Sequence, residues 1–580
     1  MKYLICISTL LSSFLVNAQN RILVDGDFGE WTEHLTIYTD ANGDEGSSGI
    51  DFGKTQISND DAYLFFSIET GIEINLQDFN EVSVHLDLDN DVSTGNSRNG
   101  LGIDLSYNFG NRSGTYYSSG SSTNVRQSDI GLITAPTVTS DRFEIAIKRS
   151  FSVNGNQVYM NDSINVLFAD ENGDLSPSGS GGIGFSFSTK KVGPLPAFSI
   201  GKPGVSDLRI VSYNVERDGF FEPNRTSEYS RIFKAIQPDI IGFQEIYNHT
   251  SSEVAGQLES ILPAGQGNKW HHAMAEPDCH AISKYPILKS AQIPGSNGSG
   301  NGAFLIDVPN APAPMLLLVA HPPCCGNNTA RQMEVDQMMQ FVRRAKLGEG
   351  PIPIEENAPI VILGDMNFVG DNNQVTTLLT GDIYDNVSFG SDFQPDWDGS
   401  DLIDSKPPTT GVPFSFTWYS ENSSFSPGRL DYMVYTGSNL VLDNSYTLFT
   451  PGLPQDSLTK HLLLANDVVT ASDHLPLVVD FSLKDTATVS VTAPNTNSLR
   501  IFPNPANDFV DVLLDTKNHG LVTIQLLDMT GKTIQTFEKN VQYSGKSSFR
   551  IFTTSHLRGH YILQVTTAHT LHHKRLVIAN

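Results

Sequence analysis

The chain has 580 residues, of which 39% are hydrophobic and 17% charged, and its formal net charge is -27 at pH 7. This composition excludes a disordered chain as the default and leaves room for about three domains. Affinity for a phosphate backbone comes mostly from Lys and Arg, so the acidic balance also excludes a broad basic surface for nucleic acid. A cation-dependent site is compatible with the charge, because a bound metal offsets repulsion between carboxylates.

Residues 1–18 predict an export signal. They contain Lys2, an apolar run from Tyr3 to Val16 and small Ala18, which is the order of a charged, an apolar and a cleavage region. No later run reaches the roughly 18 to 20 apolar residues of a membrane span, so we expect no transmembrane segment after signal removal. The mature chain should be secreted or held at the cell surface.

Residues 20–200 predict an antiparallel β-sandwich. Short alternating runs such as "AYLFFSIE", "EVSVHLDLD" and "RFEIAIKR" are separated by turn-forming clusters, without a helical pattern. The segments "DGDFGEW" and "HLDLDNDVSTG" resemble the carbohydrate-binding sandwich modules of secreted bacterial enzymes, which implies a glycan partner. Trp31 could stack on sugar, although a core position is the more usual one for Trp.

Two acidic segments of this sandwich are candidate Ca²⁺ sites. Oxygen-bearing side chains recur at every second residue, as in a calcium loop, in two sets: Asp40, Asn42 and Asp44, and Asp87, Asp89 and Asp91. Neither set has the Gly and distal Glu of a helix-loop-helix site. Turn-forming Asp in solvated loops is the alternative interpretation.

Residues 206–484 predict an α/β or α+β domain. Strands such as "LRIVSYNV", "MLLLVAH" and "APIVILGDMN" alternate with helical stretches such as "TARQMEVDQMMQFVRRAK". Six positions near strands carry polar residues that hydrophobic patterning does not explain: Asn214, Glu245, His321, Asp365 with Asn367, Asp431, and Asp473 with His474. Each alone is typical of a turn or a helix cap. Together, we expect them at the C-terminal ends of strands, where ligands and catalytic residues gather.

The order "SYNV", "FQEI", "ISKYPI", "GDMN", "RLDYMVY" and "SDHLP" resembles the endonuclease/exonuclease/phosphatase superfamily over nearly all of residues 206–484. The resemblance implies a four-layer α/β sandwich, with two packed mixed sheets flanked by helices. It also implies metal-dependent cleavage of phosphate esters. Mg²⁺ or Mn²⁺ is the implied cofactor, since such cations bind carboxylate and amide oxygens and neutralise phosphate charge.

The resemblance also implies which residues hold the metal and which act on the phosphate. Glu245, Asn214 and Asp473 would hold the metal. Asp431 would orient His474 against the phosphate. Asp473 cannot easily take that orienting role, because neighbouring side chains on extended backbone point apart.

Three further roles follow from the same resemblance. Asp365 would position or deprotonate the attacking water, and Asn367 would hold a phosphate oxygen. His321 matches the histidine of the deoxyribonuclease and sphingomyelinase branches. Which histidine is acid and which is base stays open. Arg331 and Arg429 are weaker phosphate-contact candidates, for which a surface ion pair is the alternative.

The cysteines and "HPPCCGNN" depart from the family pattern. Three cysteines remain after the signal, Cys279, Cys324 and Cys325, so at most one internal disulfide can form. We expect it to join Cys279 to one of the vicinal pair. A metal site made from "HPPCC" and His280 is less favoured, because the spacers of structural zinc motifs are absent. The segment should form a rigid loop beside the site.

Residues 485–498 predict a linker, and residues 499–580 a small β-sandwich with nine Lys or Arg against five acids. The segments "LRIFPNPANDFVDV", "LRGHYILQV" and "HHKRLVIAN" resemble the type A sorting domain of the type IX secretion system. The resemblance implies the type IX machinery as a partner. An ordinary adhesive β-module is the alternative.

Taken together, the sequence predicts a multidomain, exported, divalent-metal-dependent phosphodiesterase. The favoured activity is an endonuclease that hydrolyses extracellular DNA or RNA. A sphingomyelinase-like or other phospholipid or small-phosphodiester hydrolase is the alternative. An alternative of another class is an inactive glycan-binding adhesin, against which the intact set of polar residues argues.

Overall fold

The computed structural model describes residues 19–484 and 499–579 apart from short gaps at residues 33–35, 42, 45, 119, 266–267, 277, 296–299, 503, 505, 508, 517–519, 529–531, 542–544, 553–557 and 568–570. The predicted signal and linker lie outside the described residues. The chain divides into two compact units, Met1–Lys484 and Asp485–Asn580. Within the described ranges, no helix is both long and apolar enough to cross a membrane.

The first unit begins with two antiparallel sheets that form the predicted sandwich. Their strands and the two hairpins beside them are β1 (Thr36–Thr39), β2 (Lys54–Asn59), β3 (Tyr63–Ile74), β4 (Val82–Asp87), β5 (Asn96–Arg98), β6 (Leu101–Ile103), β7 (Leu105–Asn108), β8 (Ser113–Ser118), β9 (Ser121–Val125), β10 (Ile133–Ala135), β11 (Ser140–Lys148), β12 (Ser150–Val153), β13 (Asn156–Tyr159), β14 (Ser163–Asp170), β15 (Leu175–Ser176) and β16 (Ile183–Ser186). One sheet has the order β1-β2-β3-β11-β10, and the other β15-β14-β4-β7-β8-β9, with β16 paired to β14. Phe52, Phe66 and Phe168 lie in the core of this sandwich.

This region also contains two short helices, although the sequence showed no helical pattern there. The 3-10 helix Gly29–Thr32 precedes β1, and α1 (Gln127–Ile130) lies between β9 and β10. Trp31, in the first of them, is 2% exposed and donates from Nε1 to Glu144 Oε1 at 2.7 Å. Trp31 is therefore a core residue, and the interpretation as a sugar-stacking side chain is wrong.

The second half of this unit has the predicted four-layer architecture. Its strands are β17 (Leu208–Asn214), β18 (Ile240–Gln244), β19 (His271–Glu276), β20 (Cys279–Ser283), β21 (Ile287–Pro294), β22 (Gly300–Ile306), β23 (Met315–Ala320), β24 (Ile360–Asp365), β25 (Ile403–Asp404), β26 (Asp431–Tyr435), β27 (Leu440–Thr447) and β28 (Leu477–Leu483). The sheet orders are β19-β20-β18-β17-β28-β27 and β21-β22-β23-β24-β26-β25. Pairs β17/β18 and β23/β24 are parallel, which makes both sheets mixed.

Apolar side chains from both sheets, among them Leu317, Leu363 and Val479, form the core between them. The helices are α2 (Thr226–Ile236), α3 (Ser251–Ile261), α4 (Asn328–Lys346), α5 (Asn373–Thr380), α6 (Asn386–Phe389), α7 (Gln455–His461) and α8 (Asp467–Ala471), with 3-10 turns at Gly219–Phe221 and Thr450–Gly452. Phe233 of α2 packs in one outer core and Met338 of α4 in the other. The long helix predicted over residues 329–346 is α4.

Asp431 and His474 correct the expectation that every polar cluster follows the C-terminal end of a strand. Asp431 is the first residue of β26, and His474 precedes β28. Strand β26 is antiparallel to β24 and β28 is antiparallel to β17. The N-terminal ends of β26 and β28 therefore lie at the same sheet edges as the C-terminal ends of their partners, and Asp431 is opposite Asp365.

The N-terminal sandwich and the mixed-sheet region share one hydrophobic core. Phe65 and Ile133 of the sandwich lie in the same buried cluster as Phe414 and Phe416. The Thr137 hydroxyl lies 2.8 Å from Phe368 O and 3.1 Å from Arg429 O. The sandwich thus contacts two backbone segments that lead to the polar clusters described above.

The cysteines correct the disulfide expectation. Cys324 and Cys325 form a vicinal disulfide. The Cys279 sulfur is buried and lies 3.6 Å from Gly300 O. The disulfide joins adjacent residues, and Arg331 donates to Pro323 O at 2.7 Å, which holds the backbone segment that carries it.

The second unit is built from two antiparallel sheets. Its strands are β29 (Leu499–Phe502), β30 (Phe509–Thr516), β31 (Gly520–Leu527), β32 (Thr533–Val541), β33 (Gly545–Phe552), β34 (Gly559–Thr566) and β35 (Leu571–Ile578). The sheet orders are β29-β30-β33 and β32-β31-β34-β35. Val512, Ile524 and Leu563 lie in their core.

Candidate active site

Four polar residues stand at the C-terminal ends of neighbouring parallel strands. Asn214 ends β17, Glu245 follows β18, His321 follows β23 and Asp365 ends β24. The apolar strand residues before them are buried between the layers, so the chain first becomes polar where it leaves each sheet. The two sheets pack face to face, and this brings the four side chains together.

Asp431 and His474 form the first acid–imidazole pair. His474 Nδ1 lies 2.8 Å from Asp431 Oδ2. The backbone N–H of Asp431 donates to Thr417 Oγ1 at 2.8 Å. Burial lowers the pKa of His474, but the charges of Asp431 and Asp365 outweigh it and raise this pKa to about 10. The pairing leaves His474 Nε2 to face the interior of the site.

A second pair joins His321 to Asp278, a residue that the sequence interpretation missed. His321 Nδ1 lies 2.7 Å from Asp278 Oδ2. Burial lowers the pKa of His321, but the hydrogen bond to Asp278 and the charges of Asp365, Asp278 and Glu245 outweigh it and raise this pKa to about 9. Asp278 directly precedes β20, which is antiparallel to β18. The only sequence signal was an acid next to the start of "CHAIS".

Both imidazoles converge on one carboxylate oxygen. Asp365 Oδ2 lies 3.4 Å from His474 Nε2 and 3.6 Å from His321 Nε2. Asn214 Nδ2 donates to the same oxygen at 3.1 Å. Asp365 is 2% exposed, and this burial, together with the charge of Asp431, raises the pKa of Asp365 although both histidines act to lower it.

Glu245, His321 and Asp365 form a cluster that fits a divalent cation. One ligand atom from each lies within 4.8 Å of the others. Glu245 has a φ of 63° and accepts from Arg217 N at 2.9 Å, so its carboxylate is held in place from the backbone side. Two carboxylates beside an imidazole are a donor set for Mg²⁺ or Mn²⁺, which take carboxylate oxygen readily.

The other two predicted metal ligands differ in their placement. Asn214 turns Nδ2 toward Glu245 Oε1, at 3.1 Å, because its Oδ1 accepts from Glu216 N. It therefore supports the carboxylates as a donor and would need an amide rotation to offer oxygen. Asp473 lies outside the Glu245 cluster, and its Oδ2 accepts from Trp418 Nε1 at 3.0 Å.

Asn367 and the two arginines were predicted to contact phosphate. Asn367 has a φ of 51°, and its Nδ2 donates to Pro322 O at 3.0 Å, which links it to the loop after His321. Arg331 is fully buried and holds that loop, so it is neither a phosphate contact nor a surface ion pair. Arg429 is also shielded and pairs with Asp404 beneath the Tyr432 ring.

Three residues on the segments that flank Glu245 were not predicted. Tyr247 is 46% exposed, and desolvation together with the charges of Glu245, Asp278 and Asp365 raises the pKa of its phenol. Arg217 is exposed, and its backbone N–H donates to Glu245. His249 stacks on Phe221 with ring centroids 3.6 Å apart. His280, whose role was open, is buried with Nε2 3.0 Å from Ile246 O.

Comparisons with known proteins match two parts of the chain. Residues 211–474 match the Endonuclease/Exonuclease/phosphatase family, and residues 500–579 match the Secretion system C-terminal sorting domain. No curated protein matches the chain.

Several solved structures are similar at low identity. The human Nocturnin catalytic domain with bound sulfate is 15% identical with a TM-score of 0.31, covering 48% of this chain and 94% of its own. D. rerio TDP2 complexed with a single-strand DNA product is 14% identical with a TM-score of 0.32, covering 47% and 98%. An endonuclease/exonuclease/phosphatase from Beutenbergia cavernae DSM 12333 is 13% identical with a TM-score of 0.32, covering 64% and 100%.

The matched range 211–474 contains most strands of both mixed sheets, although β28 lies beyond its end, and it contains every residue predicted for the phosphoesterase site. The chain thus carries an endonuclease/exonuclease/phosphatase family domain over residues 211–474 and a secretion system C-terminal sorting domain over residues 500–579.

Proposed function

We propose that this protein is an exported, divalent-metal-dependent phosphodiesterase, and that its substrate is DNA or RNA cleaved internally. The observation that carries the proposal is the convergence of two Asp–His pairs on Asp365, with Glu245 close by at the edge of the facing sheet. Such an arrangement places proton donors and acceptors within a few ångströms of one phosphate position.

The metal would be held by Glu245 and Asp365 with His321 beside them. Asn214 and Asp473 remain predicted ligands. A bound Mg²⁺ or Mn²⁺ would neutralise charge on the non-bridging phosphate oxygens and favour ionisation of a water molecule.

The side chains would divide the proton transfers among them. Asp431 fixes the ring of His474, and Asp278 fixes that of His321, each through Nδ1, so that both rings present Nε2 to the phosphate. Asp365, whose Oδ2 faces both Nε2 atoms, would position or deprotonate the attacking water. Asn367 would hold a phosphate oxygen.

An exposed aromatic ring beside the site favours nucleic acid over a lipid. Tyr247 is half-exposed near Glu245 and Asp365 and offers a face on which a base can stack. A phosphodiester substrate that carries bases could use this contact.

The sorting domain supports export through the type IX machinery. Residues 499–580 carry nine Lys or Arg against five acids, unlike the acidic remainder, and match the sorting family. We propose that they act as an address and that the mature enzyme is secreted or at the cell surface.

The test compares the full-length wild type with His474→Ala on plasmid DNA, RNA, sphingomyelin and a soluble inositol phosphate, with Mg²⁺ and then with excess chelator. His271→Ala, an exposed histidine on edge strand β19, is the matched control. We expect cleavage of DNA or RNA that needs metal and His474 but not His271.

Each other outcome overturns a defined part of the proposal. Loss confined to sphingomyelin would move the function to phospholipids. Full turnover in chelator, with no residual bound metal, would rule out metal dependence. Inactivity of the folded wild type on every substrate would favour a scaffold.

A further inference from the structure

Three acidic side chains meet at one end of the N-terminal sandwich. Asp87 ends β4, Asp89 follows it, and Asp104 lies between β6 and β7. Strands β4 and β7 are antiparallel with Leu86 opposite Leu105, so Asp87 and Asp104 are neighbours across the ladder. One carboxylate oxygen of each lies within 4.8 Å of the other two. That limit is about twice the Ca²⁺–oxygen distance, as expected for oxygens that share one ion.

This cluster contains buried charge without a counter-ion. Asp87 is 2% exposed; its Oδ2 accepts from Asn165 Nδ2 at 3.3 Å, whereas its Oδ1 has no hydrogen-bond partner among the described residues. Among the residues that the structure describes, no Lys or Arg pairs with the cluster, and Arg98 and His85 on neighbouring strands pair with Glu171 instead. A buried carboxylate oxygen without a partner is unfavourable in a fold, and a bound cation would supply the missing partner.

Asp104 shows the same strain. It is 8% exposed, and its Oδ2 accepts from Leu88 N at 2.8 Å. The carboxylates of Asp89 and Asp87 lie close to it, with one oxygen of each within 4.8 Å, so the three negative charges repel one another. A cation at the centre of the three carboxylates would remove this repulsion.

The loop after β4 is shaped around the cluster. Thr94 Oγ1 lies 3.0 Å from each carboxylate oxygen of Asp89 and can donate to either, and Asp91 N donates to Asp89 Oδ1. A Cβ at Gly102 would lie 2.3 Å from Asp91 O and 2.5 Å from Thr94 O. Only glycine allows this approach, which brings the loop against the strand that leads to Asp104.

We propose that Asp87, Asp89 and Asp104 bind one Ca²⁺ ion that joins the loop 88–95 to β7. Ca²⁺ accepts an irregular shell of six to eight oxygens, whereas Mg²⁺ demands a near-octahedral shell and retains water, so a partly buried three-carboxylate cluster suits Ca²⁺. Asp104 takes the place of Asp91, which the sequence predicted as the third ligand. Asp91 Oδ1 instead accepts from Ser93 N and Ser93 Oγ within its own turn.

The other set of predicted Ca²⁺ ligands, Asp40, Asn42 and Asp44, also differs from the cluster that the structure shows. Asp44 groups with Asp51 and Asp174, whereas the Asp40 carboxylate accepts from Ala41 N. Asn42 lies outside the described residues, and no ligand is assigned to this second cluster.

The experiment titrates Ca²⁺ into the metal-free full-length protein by calorimetry and follows thermal unfolding with and without Ca²⁺. The test variant is Asp87→Asn with Asp104→Asn, which keeps side-chain size and removes two charges. Asp91→Asn is the matched control, in the same loop and outside the cluster. We expect the double variant to bind one equivalent fewer than wild type and to lose a Ca²⁺-dependent rise in Tm of at least about 3 °C, while the control retains both.

Two further variants keep the result interpretable. If the double variant does not fold, Asp89→Asn at the exposed rim should lower Ca²⁺ affinity at least about tenfold. Glu245→Gln should keep the sandwich equivalent, which separates this site from the proposed phosphoesterase site. Unchanged stoichiometry and affinity in the Asp variants, or an equivalent that takes Mg²⁺ and not Ca²⁺, would overturn the proposal.

Discussion

The two acidic clusters of the first unit differ in what surrounds them. Glu245 and Asp365 share their space with two imidazoles, each held by its own buried acid. Asp104 accepts from a backbone amide and Asp87 from the Asn165 side chain, and their other neighbours are carboxylates. Imidazoles can move protons at neutral pH, whereas carboxylates with amide donors can only hold charge. The partners of an acidic cluster, more than its acids, therefore decide whether the cluster can transfer protons.

The largest effect is expected when the His474 imidazole is removed from beside Glu245 and Asp365. His474→Ala should lower turnover at least about a hundredfold, the lower range for loss of a positioned acid–base group. Asp431→Ala should cost a similar factor, because His474 then loses its fixed ring orientation. The double variant should cost little more than the worse single one, since the two residues act as a unit. Single-turnover cleavage rates measure these effects.

The sandwich provides the control for this prediction. Both variants should keep the wild-type Tm response to Ca²⁺, because Asp87 and its neighbours are untouched. If the losses of turnover from the two single variants add in the double variant, Asp431 and His474 do not act as a unit.

The next largest effect is expected at Asp278, whose carboxylate holds the ring of His321 in the site. Asp278→Asn should lower kcat by roughly tenfold to a hundredfold, because an amide holds the His321 ring less firmly and stabilises its charge less. The variant should have no further effect in a His321→Ala background. Steady-state kinetics of the four proteins of this cycle give the measurement. An equal loss with and without His321 would show that Asp278 acts through something else.

A smaller effect should come from the sandwich side of the shared core. Thr137→Val removes a hydroxyl that lies near Phe368 O and Arg429 O, so it should cost about 1–3 kcal/mol of stability. Because Phe368 adjoins Asn367, kcat should also fall severalfold. Urea unfolding and kinetics of one preparation measure both.

Thr459→Val, at an exposed helical position on α7, is the matched control and should change neither quantity. If Thr137→Val lowers stability with kcat unchanged, the sandwich supports the fold without positioning the site.

The last effect is a pH dependence of stability in the sandwich, which should leave turnover unchanged. Glu144 is fully buried, and burial raises its pKa to about 8 from the ordinary 4.5 although Trp31 Nε1 and two backbone N–H groups donate to it. The folded state therefore holds a proton that the unfolded state releases between these values. Its contribution should be complete below about pH 4.5 and decline as pH rises to about 8, by at most about 1.4 kcal/mol per pH unit.

Glu144→Gln should flatten this slope, measured as urea midpoints from pH 5 to pH 8. Stability that rises with pH in wild type and not in the variant would contradict the assigned direction. The active-site histidines are unchanged in both proteins and cancel in the comparison.

Much of the site was predictable because its residues interrupt local patterns. Asn214, Glu245, His321 and Asp365 each follow an apolar run that could only be a buried strand, and a polar side chain there has no packing role. The contact between Asp431 and His474 was predicted from the resemblance, and the structure places their side chains 2.8 Å apart. Their catalytic roles stay predictions.

Asp278, Tyr247 and Asp104 could not be found in this way. Asp278 lies in a hairpin where an acid is an ordinary turn residue, and only the pairing of β20 with β18 brings it to His321. Asp104 sits fifteen residues beyond Asp89, outside any calcium-loop spacing, and reaches the cluster through the pairing of β4 with β7. The residues around a position in the sequence do not show which distant strand pairs with it, or in which register.

The sequence by itself determined the elements and the chemical types at their ends. Apolar alternation specifies buried strands, and the residues that break it specify where the chain meets solvent or ligand. The tertiary structure decided the partners: Asp278 for His321, Asp104 for Asp87, Cys325 for Cys324 and the sandwich for the loops near Asn367. The physical reason is that periodicity arises from each residue's own neighbours in the chain, whereas a partner is chosen by strand register and packing over hundreds of residues.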